Sequence, residues 1–298
     1  MNWTPAAVET LKILFEQGDS YRNIASVLKC DIKSVDNKIQ KLGLKRDLSS
    51  GRYRGIETIV YQLTLPLVKN LSGNWAVASD LHVPYHDEKM VLSLVEISQQ
   101  NNIKNLIIAG DLLDFSSISS FISKAVDLND EIDAAQAVLS FLFQYFEKIV
   151  LIPGNHEFRF NKKIGQIVNY EHLVNMFTQD SRVCTSEYDH VILTSCGNMF
   201  RVCHPKNYST IKGRVSTKLA EKYGTNIIAG HSHYVGINVS ENGKFIAIDT
   251  GGLFNKDKME YAQRTTLNPE WNQGFCLIVD GRCELYSPLL GNLRHWGH

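Results

Sequence analysis

The run Trp75-Ala76-Val77-Ala78-Ser79-Asp80-Leu81-His82 joins an apolar stretch of strand length to a carboxylate and an imidazole two residues apart. Five more apolar runs repeat that layout, at residues 106–109, 149–152, 200–203, 227–229 and 245–248, and each ends in polar or glycine residues. Five of the six close on metal-binding residue types: Asp80-Leu81-His82, Gly110-Asp111, Gly154-Asn155-His156-Glu157, His204 and Gly230-His231-Ser232-His233. Apolar residues at helical spacing cover 88–100, 129–147 and 212–223. Short strands alternating with helices mark an α/β domain, and in open α/β sheets ligands gather at the carboxyl ends of strands. Asp80 and His82, two apart on an extended segment, are expected to share a face and reach one ion. The same holds for His231 and His233, unless the turn after Gly230 directs them to different ions.

The donor types suit a binuclear centre. Carboxylate and amide oxygens combined with imidazole nitrogens accept divalent first-row metals, and no thiolate belongs to the set. Iron, manganese or zinc fits such donors better than calcium.

The ordered blocks Asp80-x-His82, Gly110-Asp111-x-x-Asp114, Gly154-Asn155-His156-Glu157, His204 and Gly230-His231-x-His233 resemble the calcineurin-like metallophosphoesterase superfamily. The similarity spans about residues 74–252, and its specificity lies in the ordered set, since each block alone is weak. The resemblance implies an αββα sandwich of two mixed sheets flanked by helices. It further implies that Asp80, His82 and His233 hold one metal, that Asn155, His204 and His231 hold a second, and that Asp111 bridges them. Two divalent ions are expected, manganese foremost, with iron, zinc or nickel as alternates. Such a pair, about 3.5–4 Å apart, binds phosphate oxygens and activates a bridging water for in-line attack. His156 is then the catalytic imidazole, with Asp114 orienting it through a hydrogen bond. Protein Ser/Thr phosphatases of the superfamily carry Arg and Gly after the last Asp of the second block and Gly after the His of the first. Here Asp114 is followed by Phe115-Ser116 and His82 by Val83, which points away from phosphoprotein substrates. Arg159 and Lys206, close in sequence to the donor blocks, are candidate contacts for substrate phosphate.

Bulk properties set wider bounds. With 298 residues and 44% hydrophobic composition the chain can bury a large domain and a small one. Zero formal charge neither demands nor excludes an anionic partner. Six scattered cysteines without a Cys-x-x-Cys pair, and a start without a signal-peptide pattern, make a reducing cytoplasm the expected location. No apolar run approaches the ~20 residues of a membrane helix.

Residues 1–46 read as three short helices, with apolar positions at Leu11, Leu14, Phe15, Ile24, Val27, Leu28, Ile32, Val35, Ile39 and Leu42. They resemble helix-turn-helix domains of the homeodomain-like kind. Residues 47–73 form a linker and lead-in segment, and 74–298 the catalytic domain. Between Lys29 and Arg54 eight Lys or Arg oppose three Asp, a local charge of +5. Lys33, Ser34, Asn37, Lys38 and Lys41 are therefore candidate nucleic-acid contacts, DNA being the expected partner. The expected activity is phosphodiester hydrolysis directed at DNA. Its rivals are a phosphatase or cyclic-nucleotide phosphodiesterase acting on a small or protein substrate, and a non-catalytic DNA-binding regulator.

Overall fold

The computed structural model describes residues 3–45, 68–118, 126–165, 168–259, 262 and 270–292. The chain divides into two compact units, Met1–Leu65 and Pro66–His298.

In the first unit the helices are α1 (Pro5–Glu16), α2 (Tyr21–Val27) and α3 (Ile32–Lys41). Thr4, Ser20 and Asp31 start them by accepting a backbone N–H of the first turn. Leu11, Phe15, Ile24, Ala25, Val35 and Ile39 form the core. Helical spacing assigned Val27 and Ile32 to that core as well, yet they are 59% and 46% exposed. Leu28 and Cys30, in the turn between α2 and α3, pack against the core from that side instead. Residues 46–67, which include most of the linker and lead-in segment, lie outside the described residues.

The second unit contains strands β1 (Asn70–Ser72), β2 (Trp75–Ala78), β3 (Asn105–Ala109), β4 (Lys148–Ile152), β5 (Val183–Thr185) and β6 (His190–Ser195). They are followed by β7 (Asn198–Cys203), β8 (Asn226–Ala229), β9 (Val235–Val239), β10 (Ile246–Thr250), β11 (Phe275–Val279) and β12 (Arg282–Tyr286). Its longer helices are α4 (Glu88–Gln100), α5 (Leu128–Leu142), α6 (Asn155–Lys163), α7 (Tyr170–Asn175) and α8 (Arg214–Tyr223). The strands form two six-stranded mixed sheets, β12-β11-β2-β3-β4-β5 and β1-β6-β7-β8-β10-β9. β2, β3, β4 and β5 run parallel in one sheet, and β7, β8 and β10 run parallel in the other. The lead-in segment ends in β1, which pairs with β6 through Leu71 and Leu193.

Alternation along the central strands explains the two-layer packing. Val77, Ile107, Ala109, Val150 and Ile152 meet Val191, Leu193, Phe200, Val202, Ile228 and Ile248 between the sheets. Ala76, Ala78, Leu106, Ile108, Ile149 and Leu151 point the other way, onto Leu94, Val95, Ala135, Leu139 and Leu142 of α4 and α5. Strands buried on both faces read as continuous apolar runs, which is why the sequence pattern was unbroken there.

One buried carboxylate in this layer has a pH consequence. Glu131 on α5 is fully buried, and its Oε1 accepts the Ser116 backbone N–H at 2.8 Å. Oε2 has no hydrogen-bond partner among the described residues. Burial raises its pKa from 4.5 to about 6. The unfolded chain gives up this proton near 4.5 and the folded chain near 6, so stability falls as pH rises through that window. Glu131→Gln should therefore raise the unfolding temperature at pH 8, by the equivalent of about 1–2 kcal/mol. At pH 4 the gain should disappear, which thermal unfolding at the two pH values checks.

Candidate metal centre

Every donor singled out in the sequence sits just beyond the carboxyl end of a parallel strand, or in the turn that follows one. Asp80 follows β2, Asp111 follows β3 and Asn155 follows β4, while His204 follows β7 and His231 and His233 follow β8. Both sheets thus aim their parallel strands at one place, as open α/β sheets do.

The backbone there is not extended. Asp80, His82, Asp111, His231 and His233 have φ of 52°, 49°, 51°, 72° and 56°. The expectation that alternation along a strand would bring Asp80 and His82 together is corrected: the chain turns left-handed at both residues. Each such residue costs about 1–3 kcal/mol and persists only where its surroundings over-determine it. Those surroundings are cross-links between loops. The Asp80 carboxylate accepts the His231 N–H at 2.9 Å, and the Asp111 carboxylate accepts the His156 N–H at 2.9 Å. Gly110, with φ of 87°, leaves no room for a side chain, since a Cβ would fall on the His204 imidazole. Gly110→Ala should lower stability by about 2–5 kcal/mol, combining left-handed strain with overpacking. Thermal or denaturant unfolding reads that loss.

Donor atoms of Asp80, His82 and His233 lie within 4.8 Å of one another, as do those of Asp111, His204 and His231. The His233 Nε2 is 3.1 Å from Asp80 Oδ1 and 3.2 Å from His82 Nε2. In the second group His204 Nε2 is 3.3 Å from Asp111 Oδ2 and 3.0 Å from Asn155 Oδ1. Asp111 Oδ2 also stands 3.9 Å from His82 Nε2, between the two groups. Backbone and carboxylate partners set the imidazole tautomers. His204 Nδ1 faces the Ala109 carbonyl at 2.9 Å, and His82 Nδ1 faces Asp114 Oδ1 at 2.9 Å. Both acceptors demand Nδ1–H, which turns Nε2 toward the cluster as the atom that would meet a bound metal.

The electrostatics are those of a site built for cations. Burial raises the Asp80 carboxyl, but the neighbouring His233 and hydrogen bonds from His233 and His82 outweigh it and hold the group well below the usual range. Burial likewise opposes Asp111, which His204, His156 and His82 hold strongly ionised. Burial lowers His82 and His204, yet bonds to Asp114 and Asp80 lift His82 to about 10, and Asp111 lifts His204 to about 9. Protons on these imidazoles thus balance the carboxylates, and divalent ions bound there would displace them. The thiol next in sequence does not compete, because burial pushes Cys203 up to about 12. An oxygen and nitrogen donor set of this kind fits a pair of divalent cations.

His156 stands 3.9 Å from Asp111 through its Nε2. Its Nδ1 donates to the main-chain carbonyl of Asp114, while the Asp114 carboxylate is 3.6 Å away and engaged by His82. Asp114 therefore orients His156 by its backbone and His82 by its side chain, a division of labour that the sequence did not disclose. Burial, opposed by Asp111 and Asp114 and reinforced by the charges on His82 and Arg159, lowers His156 to about 4. Arg159, one helical turn on, brings its guanidinium to 3.5 Å from His156 Nε2. Lys206 is exposed, with its ammonium 5.1 Å from the ring centre of Phe158.

Two positioning residues had no assigned role. Glu157 is buried and accepts the N–H of Gly154 at 2.8 Å and of Asp111 at 3.1 Å, tying two donor loops together. Asp249, the fourth residue of β10, accepts Ser216 Oγ at 2.7 Å and Ser232 Oγ at 3.2 Å, and so clamps the residue between His231 and His233. An acidic residue three places into a helix that starts at a glycine was the available signal for Glu157. Asp249 offered none, since its partners are distant in sequence.

On α3, Lys33, Asn37 and Lys41 are exposed. Ser34 is occupied, its hydroxyl donating to Asp31 Oδ2 at 2.7 Å as part of the helix cap. Lys38 is half-buried, 5.6 Å above the Trp3 ring. All six cysteines are free thiols, and Cys196 is exposed rather than a small core residue. No helix among the described residues is long and apolar enough to cross a membrane.

The sequence profile of the family described as calcineurin-like phosphoesterase matches residues 74–235. The gene 54 protein of Mycobacterium phage D29 is 25% identical over 240 residues, covering 71% of this chain and 91% of that protein. Among solved structures, an archaeal phosphodiesterase is 13% identical, covering 72% of this chain and 99% of its own, with a TM-score of 0.40. The Escherichia coli phosphoesterase YfcE is 11% identical, covering 72% of this chain and 92% of its own, with a TM-score of 0.42.

Proposed function

We propose that this chain, which belongs to the calcineurin-like phosphoesterase family and is a metal-dependent hydrolase of phosphate esters, acts on phosphodiester bonds of nucleic acid, DNA foremost, with two manganese ions. In this reading Asp80, His82 and His233 hold one ion, Asn155, His204 and His231 the other, and Asp111 both. Bound there, the ions supply charge neutralisation for the phosphate oxygens and an activated water. His156 has committed Nδ1–H to the Asp114 carbonyl, so Nε2 is the atom that takes up and delivers a proton to the departing oxygen. Arg159, beside that Nε2, is placed to hold a phosphate oxygen. Asp114, Glu157 and Asp249 keep the donor loops in position.

The observation that carries the nucleic-acid assignment is the separate three-helix unit, whose third helix exposes Lys33, Asn37 and Lys41 beside one another at helical spacing. A cationic helix face follows the phosphate backbone, and its contribution is salt-dependent. Lys33→Ala combined with Lys41→Ala in the full chain should weaken DNA affinity and reduce the slope of log affinity against log salt by about 2. Hydrolysis of bis(p-nitrophenyl) phosphate should stay at the parent level. If the parent protein with manganese hydrolyses that small diester but leaves single- and double-stranded DNA and RNA intact, the nucleic-acid assignment fails.

A further inference from the structure

Among the seven donors, Asp80, His82, Asp111, His204 and His233 are buried, whereas Asn155 and His231 are partly accessible. The cluster therefore opens on the His231 side, and the substituent of a phosphate ester held there must leave over that rim. The loop between β7 and α8, which begins at His204, supplies the rim. The Tyr208 and His231 rings meet in a T-shaped arrangement, with centroids 6.0 Å apart and planes at 83°. Its hydroxyl is 3.4 Å from the hydroxyl of Tyr234, a residue only 7% exposed. The Lys212 ammonium lies 5.4 Å from the centre of the Tyr234 ring. Tyr208 is thus fixed at both ends, by an imidazole and by a buried phenol, and yet is 51% exposed.

A ring fixed in this way has little rotamer freedom left to lose when something lies against it. Nucleobases carry a π-face whatever their identity, and stack on such rings when they are not stacked on a neighbouring base. Lys206, two residues before Tyr208 in the same loop, and Arg159, beside His156, supply the positive charge that single strands use together with aromatic surface.

We infer that Tyr208 is the platform on which the nucleobase next to the reacting phosphate stacks, so that the site accepts an unpaired nucleotide in preference to one within a duplex. This rests on the nucleic-acid reading above. Tyr208 is a specificity-determining residue in that role.

The test uses the full chain loaded with manganese and isothermal titration with thymidine 5′-monophosphate and with the same sugar phosphate lacking the base. The parent protein should bind the nucleotide about tenfold more tightly than the baseless compound, the size expected for one stacked base. Tyr208→Phe should keep that preference, and Tyr208→Ala should erase it without changing affinity for the baseless compound. No preference in the parent, or equal weakening of both ligands in Tyr208→Ala, would overturn the inference. A parallel digest of single-stranded oligonucleotide separates the two proposals. A Tyr208-dependent preference with no cleavage removes the nuclease assignment alone, and cleavage without a preference removes the stacking platform alone.

Discussion

His156→Ala should bind metal as the parent protein does and turn over about 10²- to 10⁴-fold more slowly, the range attributed to a positioned proton-transfer group. The geometry separates the two properties. His156 lies beside the donor cluster, 3.9 Å from Asp111 and with its ring centre 4.6 Å from that of His82, and its backbone N–H, which helps to fix the Asp111 carboxylate, survives the substitution. The loss should fall on kcat, since Arg159 remains to bind phosphate. Elemental analysis together with steady-state hydrolysis of bis(p-nitrophenyl) phosphate measures both quantities. His156 also groups with His82 and Asp111 as a set whose donor atoms lie within 4.8 Å. Loss of metal in parallel with activity would therefore mean that His156 is itself a ligand, and would remove the proton-transfer role.

Asp111→Ala should have the larger effect of the two. Its carboxylate is the group that faces both donor clusters, at 3.3 Å from His204 Nε2 and 3.9 Å from His82 Nε2. It also accepts the His156 N–H. Without it the imidazoles of His82, His204 and His156 lose their common counter-charge, and neither cluster keeps its full donor set. The expected result is less than one tightly bound ion per chain and a fall in kcat/KM of about a thousandfold or more, as losing the carboxylate shared by both clusters removes both metal binding and activation of water. A variant that retained two ions by elemental analysis would show that Asp111 does not bridge them.

Much of the large unit was legible because its core strands are buried on both faces. The apolar runs at β2, β3, β4 and β8 stand out without any need for alternation, and each gives way within two residues to a charged or glycine residue where the backbone leaves the core. The helix expected at 88–100 is α4 over the same span, its start fixed by Asp87 accepting the N–H groups of Lys89 and Met90. Elements defined by distant partners were not legible. β1 takes its place from β6, some 120 residues later, and β5 is a three-residue edge of its sheet. In β9 the apolar Ile237 and Val239 are more than half exposed, which hides a strand from any pattern that equates apolar with buried. The donor residues were readable as types in an ordered series, but not the left-handed backbone that brings them together. That depends on contacts such as the Asp80 carboxylate with the His231 N–H, made across 151 positions of sequence. The small unit failed at Ile32 for a related reason: a period of 3.6 locates a face, but the neighbouring turn decides how wide that face is.

The donor loops come from both sheets, with Asp80, Asp111 and Asn155 on one and His204, His231 and His233 on the other. Ions held by such loops as proposed would act as rivets between two plates. Their occupancy and the cohesion of the sandwich then form one linked equilibrium, in which loading at a hundred times the dissociation constant adds about 2.7 kcal/mol to the folded state. Chelation would be felt first as a loosening along the seam between the plates, at the end where the strands point and where catalysis occurs. In the proposed arrangement the enzyme's working life in a metal-poor medium would be set by the same residues that set its chemistry.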